Sequence, residues 1–358
     1  MKKKSIRGCG LKKRHGFTLI ELLVATVVLL MIMAILLSIT TQTGNLWRTT
    51  TAKMEQFRGA RDAFEAMTRR LGQATLNTYW DYDNPTAPTR YVRQSELRFI
   101  SGNTVALTGA PTAPRQWPTH GVFFQAPLGF SQDSTTYGLE NLLNTWGYFI
   151  EFGSDAAERP PIVTTQITPL RYRYRLCEFM QPTNALSIYN YTSGLTGTMS
   201  NNLTYTGRDW FSIPMNLSDT STAPVRPVHV LAENIIALII LPKLSQTEDS
   251  TGTTLAPLYT YDSTTTNSNA TLNPKNQLPP ILEVTMVAID EASAIRLAQS
   301  QGSTMPDFGL GSLFTDATKM SADLATLQQT LDSKHINYRV FSTNVAIKGA
   351  KWSRDETN

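Results

Sequence analysis

The fold is decided by residues 12–21, which read Lys12-Lys13-Arg14-His15-Gly16-Phe17-Thr18-Leu19-Ile20-Glu21 and lead into an apolar run that ends at Ile39. Residues 17–39 contain one charged side chain, that of Glu21. A helix rises about 1.5 Å per residue, so a run of this length crosses a hydrocarbon core of about 30 Å. The sequence therefore predicts a transmembrane helix over 17–39 with a carboxylate near its start.

The charge distribution predicts how this helix is oriented. Seven of the 32 basic residues precede Phe17, and no acidic residue does. Because basic segments stay on the cytoplasmic side, we expect a single-pass protein of the inner membrane whose body is extracytoplasmic. The remaining 25 basic and 28 acidic residues give the rest of the chain a net charge of −3. The basic pI is therefore no sign of a nucleic-acid partner.

Glu21 is the best functional clue in this segment. A carboxylate at the centre of a membrane helix costs about 2.5 kcal/mol or more. One interpretation is that Glu21, one turn from the helix start, reaches the headgroups. The other is that it pairs with a cation from another chain, and an N-terminal amine is one candidate if the chain is cut before Phe17.

The run Gly16-Phe17-Thr18-Leu19-Ile20-Glu21, with basic residues before it and Leu22-Leu23-Val24-Ala25 after it, resembles the N-terminal signature of type IV pilins and type II secretion pseudopilins. The resemblance implies that a prepilin peptidase removes residues 1–16 by cutting after Gly16. The same enzyme would N-methylate Phe17. Glu21 would then pair with the N-terminal amine of a neighbouring pilin-like subunit during filament assembly.

The helical pattern continues beyond the membrane over residues 40–78. Apolar or small residues recur every three or four positions, and no proline occurs before Pro85: Trp47, Thr50, Met54, Phe57, Ala60, Phe64, Met67, Leu71 and Ala74. This stripe predicts a single amphipathic helix that runs from Phe17 to about Asn77 and packs against a sheet. A coiled-coil stalk is the alternative. Gly44 and Gly59 are positions where the helix could bend.

The body, residues 79–358, is predicted to be β-rich, which makes the fold class α+β and pilin-like. Residues 97–100 and 104–107 suggest a hairpin around 101–103. In 170–176, Leu170, Tyr172, Tyr174 and Leu176 alternate with three arginines, which predicts a half-exposed strand with a solvated arginine face. Further strands are expected at 121–124, 146–152, 228–241, 281–289 and 338–347.

The rest of the body is predicted to be loops and two late helices. Residues 183–222 and 245–275 are rich in Ser, Thr and Asn and are interpreted as long loops, not domains. Helices are expected at 292–300 and at 321–333, the second capped by Ser321, with Leu324, Leu327 and Leu331 on its buried side.

The order of these elements resembles the layout of J-type minor pseudopilins. It is even more similar to protein C of the Verru_Chthon cassette of Verrucomicrobia, on residues 284–297 and 338–353. The helices and polar loops depart from the shorter J-type pattern. The resemblance implies a location and a structural class, not a reaction.

Candidate catalytic chemistry is not apparent in the sequence. The four histidines are scattered, and no zinc-protease, phosphate-loop or serine-nucleophile motif occurs. Asp290-Glu291 is interpreted as a turn or helix N-terminus. With Cys9 in the basic segment and Cys177 in the body, no internal disulfide is expected. We therefore expect no catalytic residue, no cofactor and no metal site, although a Cys177 pairing with another chain stays open.

The sequence thus favours a prepilin-like structural subunit that assembles through its N-terminal helix. A bulky body favours a minor or tip subunit over the main repeat. The first alternative is a single-pass anchored periplasmic protein that never assembles. The second is an anchored hydrolase or sugar-binding protein, which requires a pocket with converging polar groups.

Overall fold

The computed structural model describes residues 18–160, 162–163, 165, 168–190, 208–219, 225–269 and 272–353, without the side chains of 44–56 and 190. The chain divides into two compact units, one ending at Glu55 and the other beginning at Gln56. Helix α1 (Leu19–Gln56) makes up the first unit. The second unit contains the sheets and the remaining helices.

Helix α1 is long and apolar enough to cross a membrane over Leu19–Thr43, and no part of that segment is buried. Its hydroxyl groups bond to the helix itself. Thr26 donates to the carbonyl of Leu23 at 2.9 Å, and Thr40 donates to that of Leu36 at 2.8 Å. Because hydrocarbon offers no hydrogen-bond partners, these internal bonds make the hydroxyls compatible with lipid.

The second unit begins with helix α2 (Arg58–Leu71). The prediction of a single helix from Phe17 to about Asn77 is therefore wrong in two respects. The helix breaks at Phe57, two residues before Gly59, and it ends at Leu71. At this end, Thr75 donates its N–H to the carbonyl of Gln125 at 2.9 Å. Pairing with the sheet thus replaces further helix propagation.

Eleven strands and five further helices follow among the described residues. In chain order they are β1 (Tyr79–Tyr82), β2 (Tyr91–Gln94), β3 (Ile100–Asn103), α3 (Thr104–Thr108), β4 (His120–Pro127), β5 (Leu143–Ser154), β6 (Tyr172–Gln181), α4 (Ser187–Asn190), α5 (Asp209–Met215), β7 (Val228–Glu233), β8 (Ile235–Lys243), β9 (Tyr261–Asp262), β10 (Ile281–Ile289), α6 (Glu291–Gln301), α7 (Met320–Ser333) and β11 (Tyr338–Ala346). Short 3₁₀ turns occupy Ser134–Thr136, Thr183–Ala185 and Ala317–Lys319.

The strands form three antiparallel sheets, as the α+β prediction requires. The largest has the order β7-β6-β5-β4-β3-β9. A three-stranded sheet has the order β11-β10-β8, and β1 and β2 form a separate ribbon. Strand β8 contacts β4, β5 and β6, so the small sheet lies on one face of the large one.

Helix α2 packs onto the body through the stripe seen in the sequence. Its buried residues are Ala60, Ala63, Phe64, Met67 and Leu71. The ring of Phe64 lies 5.8 Å from that of Phe341 on β11, measured between centroids. Each large apolar side chain buried in this way contributes about 1.5–3 kcal/mol. The predicted amphipathic helix against a sheet is confirmed for this helix.

The opposite face of the large sheet is covered by the segment that was interpreted as a long loop. Within it, α4 and α5 bring Ile188, Trp210, Phe211 and Met215 into a second buried cluster. Phe211 stacks on Phe123 of β4 with 4.1 Å between ring centroids. The described part of 183–222 is therefore a covering layer with its own core.

The predicted solvated arginine face is wrong for two of its three arginines, since only Arg171 is exposed. The alternation in β6 is present, since Tyr174 and Leu176 enter the main cluster. However, Arg173 and Arg175 are only 5% and 3% exposed. Arg173 donates to Glu291 at 2.6 Å, and Arg175 donates to the carbonyl of Ser154 at 2.6 Å. A strand covered on both faces buries both sets of side chains.

The predicted hairpin over residues 97–107 is also wrong. Only Ile100–Asn103 forms a strand, and Thr104–Thr108 is helix α3. The Asn103 side chain accepts a hydrogen bond from the N–H of Ala106 at 3.2 Å, so it caps this helix. The cap overrides the β preference of Thr104 and Val105.

The predicted C-terminal elements are confirmed with one correction. Helices α6 and α7 and strand β11 lie where the pattern placed them, and Leu327 and Leu331 are buried. Asp290 caps α6 by accepting from the N–H of Ser293 at 2.9 Å, which confirms the helix N-terminus. Ser321 does not cap α7, because that helix already begins at Met320.

An Asp-x-Thr turn occurs four times in the body, twice within the polar segment 245–275. In each case, one aspartate oxygen accepts bonds from the N–H and the hydroxyl of the threonine two residues later. The N–H distances are 2.9–3.0 Å, and the pairs are Asp133/Thr135, Asp249/Thr251, Asp262/Thr264 and Asp316/Thr318. Residues that look like low-complexity sequence thus carry specific turn chemistry.

Candidate processing and assembly site

The candidate site lies at the head of α1. Gly16 and Phe17, the expected cleavage and methylation positions, lie outside the described residues. Thr18 immediately precedes α1, and Glu21 is the third residue of that helix. Both side chains are exposed. Glu21 is the only charged residue of Leu19–Thr43.

Thr18 and Glu21 form a reciprocal hydrogen-bonded cap. The carboxylate oxygen Oε2 of Glu21 accepts from the N–H of Thr18 at 2.9 Å and from its hydroxyl at 3.0 Å. In return, the N–H of Glu21 donates to the Thr18 hydroxyl oxygen at 3.4 Å. This is the capping box S/T-x-x-E, in which the cap residue and the acid satisfy each other's free N–H groups.

The cap changes what Glu21 can do in a membrane. A helix N-terminus attracts negative charge, and two donors already solvate one carboxylate oxygen. Both bonds from Thr18 go to Oε2, and each carboxylate oxygen has two lone pairs. Oε1 therefore keeps its capacity to accept a bond from a cation while the cap stays closed.

Sequence reasoning singled out Glu21 but missed the role of Thr18. The signal was present as Thr18-Leu19-Ile20-Glu21 ahead of an apolar run, which is the sequence form of a capping box. Glu21 is therefore both a helix-start residue and a carboxylate available for pairing.

A buried polar cluster in the body joins α2 to the large sheet. Glu178 on β6 accepts from Trp146 Nε1 at 2.8 Å and from the Tyr148 hydroxyl at 3.0 Å, and it is paired with Arg70 of α2. The Arg70 guanidinium lies 4.8 Å from the centroid of the Trp146 ring. Burial raises the pKa of the Tyr148 hydroxyl, so this phenol stays protonated as a donor. The cluster thus attaches helix α2 to the sheet, and its donors are all directed at the Glu178 carboxylate.

The hydrolase and binding-protein alternatives require a pocket with converging polar groups. A cavity of about 580 Å³ lies between β6, the 3₁₀ turn after it and residues 225–229. Two of its polar side chains are bonded within the protein. Gln181 accepts from the Ser187 hydroxyl at 2.7 Å, and Arg226 donates to the carbonyl of Met215 at 2.7 Å and pairs with Glu151. Neither of these side chains is arranged as a free ligand-binding group.

The other candidate chemical groups do not form a centre. Among the described residues, no three His, Cys, Asp or Glu side chains lie together as metal ligands. Cys177 is a buried free cysteine, and burial raises the pKa of its thiol. Asp290 and Glu291 serve as the cap of α6 and the partner of Arg173.

Comparison with known protein families gives a match at the N-terminal end of the chain, where Thr18 and Glu21 lie. The profile of the prokaryotic N-terminal methylation motif matches residues 11–37. This range covers three of the seven N-terminal basic residues, the expected cut, the Thr18–Glu21 cap and most of the apolar segment. No curated protein and no solved structure matches the chain.

Proposed function

We propose that the chain is a prepilin-like structural subunit anchored by a single helix, and that it is processed and assembled as such proteins are. In this proposal, a prepilin peptidase cuts after Gly16 and N-methylates Phe17. The mature chain then joins a type IV pilus or a type II secretion-like filament through its N-terminal helix. The observation that carries the proposal is the methylation motif at 11–37, placed across the start of a membrane-length helix.

Glu21 is the residue that we propose for assembly. A mature chain would begin at Phe17, and its amine would be a cation at the membrane surface. The Glu21 carboxylate is held at a helix start by Thr18, with Oε1 able to accept a further bond. Pairing Oε1 with the amine of a neighbour would neutralise both charges and set the axial register between the two helices.

The proposed chain organisation follows from this. Residues 1–16 are the cleaved leader, 17–39 the membrane helix, 40–78 its amphipathic continuation and 79–358 the extracytoplasmic body. The N-terminus would lie in the cytoplasm and the body outside the inner membrane, since the basic residues precede the span.

Within the filament, we favour a minor or tip position because each subunit carries a large body. The layout resembles J-type minor pseudopilins and Verru_Chthon cassette protein C on residues 284–297 and 338–353. These two segments contain most of β10 and all of β11, which pair within them from Val284↔Thr343 to Ile289↔Tyr338. The two resembling segments therefore form one hydrogen-bonded unit of the body, which supports the proposal of a minor or tip subunit.

N-terminal mass spectrometry of the protein from its native membrane tests the proposal. We expect a mature terminus at N-methylated Phe17. A Gly16→Leu variant, which blocks the cut by bulk, should retain residues 1–16 and serves as the control. An unprocessed wild-type terminus would overturn the proposal and favour a permanently anchored periplasmic protein.

A further inference from the structure

Exposed aromatic side chains are concentrated on the ribbon formed by β1 and β2. Among the described residues, five tyrosine or tryptophan side chains are strongly exposed, and four of them lie on these two strands. They are Tyr79, Trp80, Tyr82 and Tyr91, with exposed fractions of 45%, 58%, 44% and 61%. Large aromatic rings are usually buried in a core or an interface, so this concentration marks the ribbon as a contact surface.

The strand register brings three of these rings to one face. Residues that pair across an antiparallel ribbon lie on the same face, and the two faces alternate along each strand. Trp80 pairs with Arg93. The Arg93 guanidinium lies 5.6 Å from the centroid of the Trp80 ring. Tyr82 pairs with Tyr91, and their rings stack with 4.9 Å between centroids. The surface formed by these four side chains is called the aromatic face below.

Hydrogen bonds fix the shape of the ribbon at both ends. At the turn, the Asp83 carboxylate accepts from the N–H of Thr89 at 2.9 Å and from the N–H of Arg90 at 3.3 Å. At the base, the Asn276 side chain donates to the carbonyl of Arg93 at 2.7 Å. A two-stranded ribbon is only marginally stable alone, so these bonds help to hold the aromatic face in one arrangement. A face that is already ordered loses little conformational freedom when it binds a ligand.

The charge of the ribbon argues against a highly charged ligand. Residues 79–94 contain two acids and two bases and so have no net charge: Asp81, Asp83, Arg90 and Arg93. The chain after residue 16 has a net charge of −3. Nucleic acids and anionic lipid surfaces are bound by protein surfaces with an excess of positive charge. Charge complementarity therefore favours an uncharged ligand for the aromatic face.

The edges of the tyrosine rings are polar. The Tyr91 hydroxyl donates to that of Tyr82 at 3.2 Å. A phenol both donates and accepts, so the Tyr82 hydroxyl keeps its own hydrogen for a further bond. A ligand that covers this face must therefore combine an apolar surface with hydrogen-bonding groups at its edge. A sugar ring has this combination, because C–H groups cover its faces and hydroxyls surround it.

We propose that the aromatic face binds an uncharged polysaccharide, whose sugar rings stack on Trp80 and on the Tyr82–Tyr91 pair. Residues two apart in a strand are separated by about 6.6 Å, so sugar rings of one chain can occupy both positions. An exposed flat face of this kind needs no enclosed pocket, in contrast to the sites that enclose small ligands. The inference goes beyond the proposed function and does not depend on a cut after Gly16.

Fluorescence anisotropy of end-labelled hexasaccharides tests the face. The full chain is solubilised in a detergent without a sugar headgroup and titrated against cellohexaose, maltohexaose and chitohexaose. We expect at least one of the three to bind. Trp80→Ala and Tyr91→Ala should each weaken that binding by about tenfold or more, since they remove aromatic anchors of the contact. Tyr137→Ala is the matched control and should bind like wild type, because Tyr137 is 67% exposed but lies outside the ribbon.

The inference is overturned if none of the three hexasaccharides binds. It is also overturned if Trp80→Ala and Tyr91→Ala bind like wild type, or if Tyr137→Ala weakens binding as much as they do. Urea unfolding of each variant should give the wild-type midpoint, because both ribbon rings are largely exposed. Trp80→Phe, which keeps a smaller ring, should bind with intermediate affinity and keeps the test decisive if Trp80→Ala alters folding.

Two further measurements address other occupants of the face. A labelled single-stranded thymidine oligonucleotide should bind more weakly than the sugar, and tighter binding would overturn the inference. In nanodiscs of brominated phosphatidylcholine, we expect equal quenching of tryptophan fluorescence in wild type and Trp80→Phe. Stronger quenching in wild type would place the ribbon in lipid and overturn the inference.

The outcomes are distinguishable from failure of the proposed function. The sugar titration is repeated with the Gly16→Leu chain, and the N-terminus is analysed in the same samples. Equal sugar binding by this chain supports the aromatic face even if the wild-type chain is never cut. Loss of sugar binding in this chain would contradict a face that acts independently of processing.

Discussion

Thr18 and Glu21 show how two side chains can serve folding and assembly at once. Each satisfies a backbone N–H at the start of α1, where such groups have no intrahelical partner. The same bonds use only one oxygen of the carboxylate. A helix cap matters more in lipid than in water, because in lipid no water is available to accept bonds from the free N–H groups.

Removing this cap should loosen the first turn of α1. Thr18→Ala loses the hydroxyl that donates to Glu21 and accepts from its N–H, which costs about 1 kcal/mol of helix stability. We expect the amides of Glu21 and Leu22, which donate to Thr18, to exchange with deuterium about fivefold faster in detergent-solubilised, uncleaved chain. Thr18→Ser keeps both bonds and should exchange like wild type. Unchanged exchange in Thr18→Ala would show that the cap contributes nothing.

His120 is the second residue whose environment sets its chemistry. Its ring nitrogen Nδ1 accepts from the N–H of Ile240 at 3.3 Å, so Nε2 carries the hydrogen and donates to the carbonyl of Phe314 at 3.0 Å. Burial lowers the pKa of His120 to about 4 from its ordinary value of 6.5. The neutral ring thereby joins β4 to β8 and to the segment before α7.

The lowered pKa predicts an acid-sensitive body. Above pH 6.5 the His120 ring is neutral in both the folded and the unfolded chain. It therefore does not make the free energy of unfolding depend on pH in that range. As the pH falls from 6.5 to 4, the unfolded chain binds a proton that the folded chain does not, so stability falls by up to about 3 kcal/mol. Urea unfolding of the full chain, followed by tryptophan fluorescence, measures this. His120→Gln should show a flatter pH dependence over this window, and His335→Gln, at an exposed position, should match wild type. Parallel curves for wild type and His120→Gln would contradict the prediction.

Helix α2 is held to the body by one apolar face and one ion pair. The spacing of apolar residues in the sequence predicted the apolar face. It could not predict the ion pair, because Arg70 and Glu178 are distant in sequence. Glu178 lies among Trp146, Tyr148 and Arg70, with only 11% of its side chain exposed. A carboxylate in such a position depends on its cation.

Removing the Arg70 guanidinium should therefore destabilise the body. Arg70→Met keeps a long unbranched side chain but leaves Glu178 with the neutral donors Trp146 and Tyr148 only. We expect a loss of about 2 kcal/mol, below the 3–5 kcal/mol of fully buried pairs, because a third of the Arg70 side chain is exposed. Arg61→Met on the solvent face of α2, where Arg61 pairs with exposed Glu65, is the matched control and should leave the urea midpoint unchanged. Similar midpoints for the two variants would show that the buried pair has no special role.

For the molecule as a whole, the features that can be predicted from the sequence are those determined by residues close together in the chain. The membrane helix, the motif around Gly16 and Glu21, the α2 stripe and most strands depend on patterns within about 20 residues. The burial of Arg173 and Arg175 was not predictable, because their partners are distant in sequence: Glu291 for Arg173 and the carbonyl of Ser154 for Arg175. The strand alternation was correct, but alternation does not say whether a second layer covers the polar face.

The errors at element ends have a similar cause. Apolar periodicity extends the helix past Phe57 and Leu71, whereas the chain leaves the helix to pair Thr75 with Gln125 on β4. At residues 97–107, one asparagine cap outweighs two β-branched residues. Both cases turn on single hydrogen bonds whose partners a periodic pattern does not reveal. Capping signals deserve the same weight as periodicity when helix ends are placed.

Among the described side chains, both buried clusters begin at or after Ala60, within the unit that starts at Gln56. The second unit therefore supplies the residues of its own interior. Urea unfolding of the full chain consequently reports on the packing of this unit, which contains both His120 and Arg70.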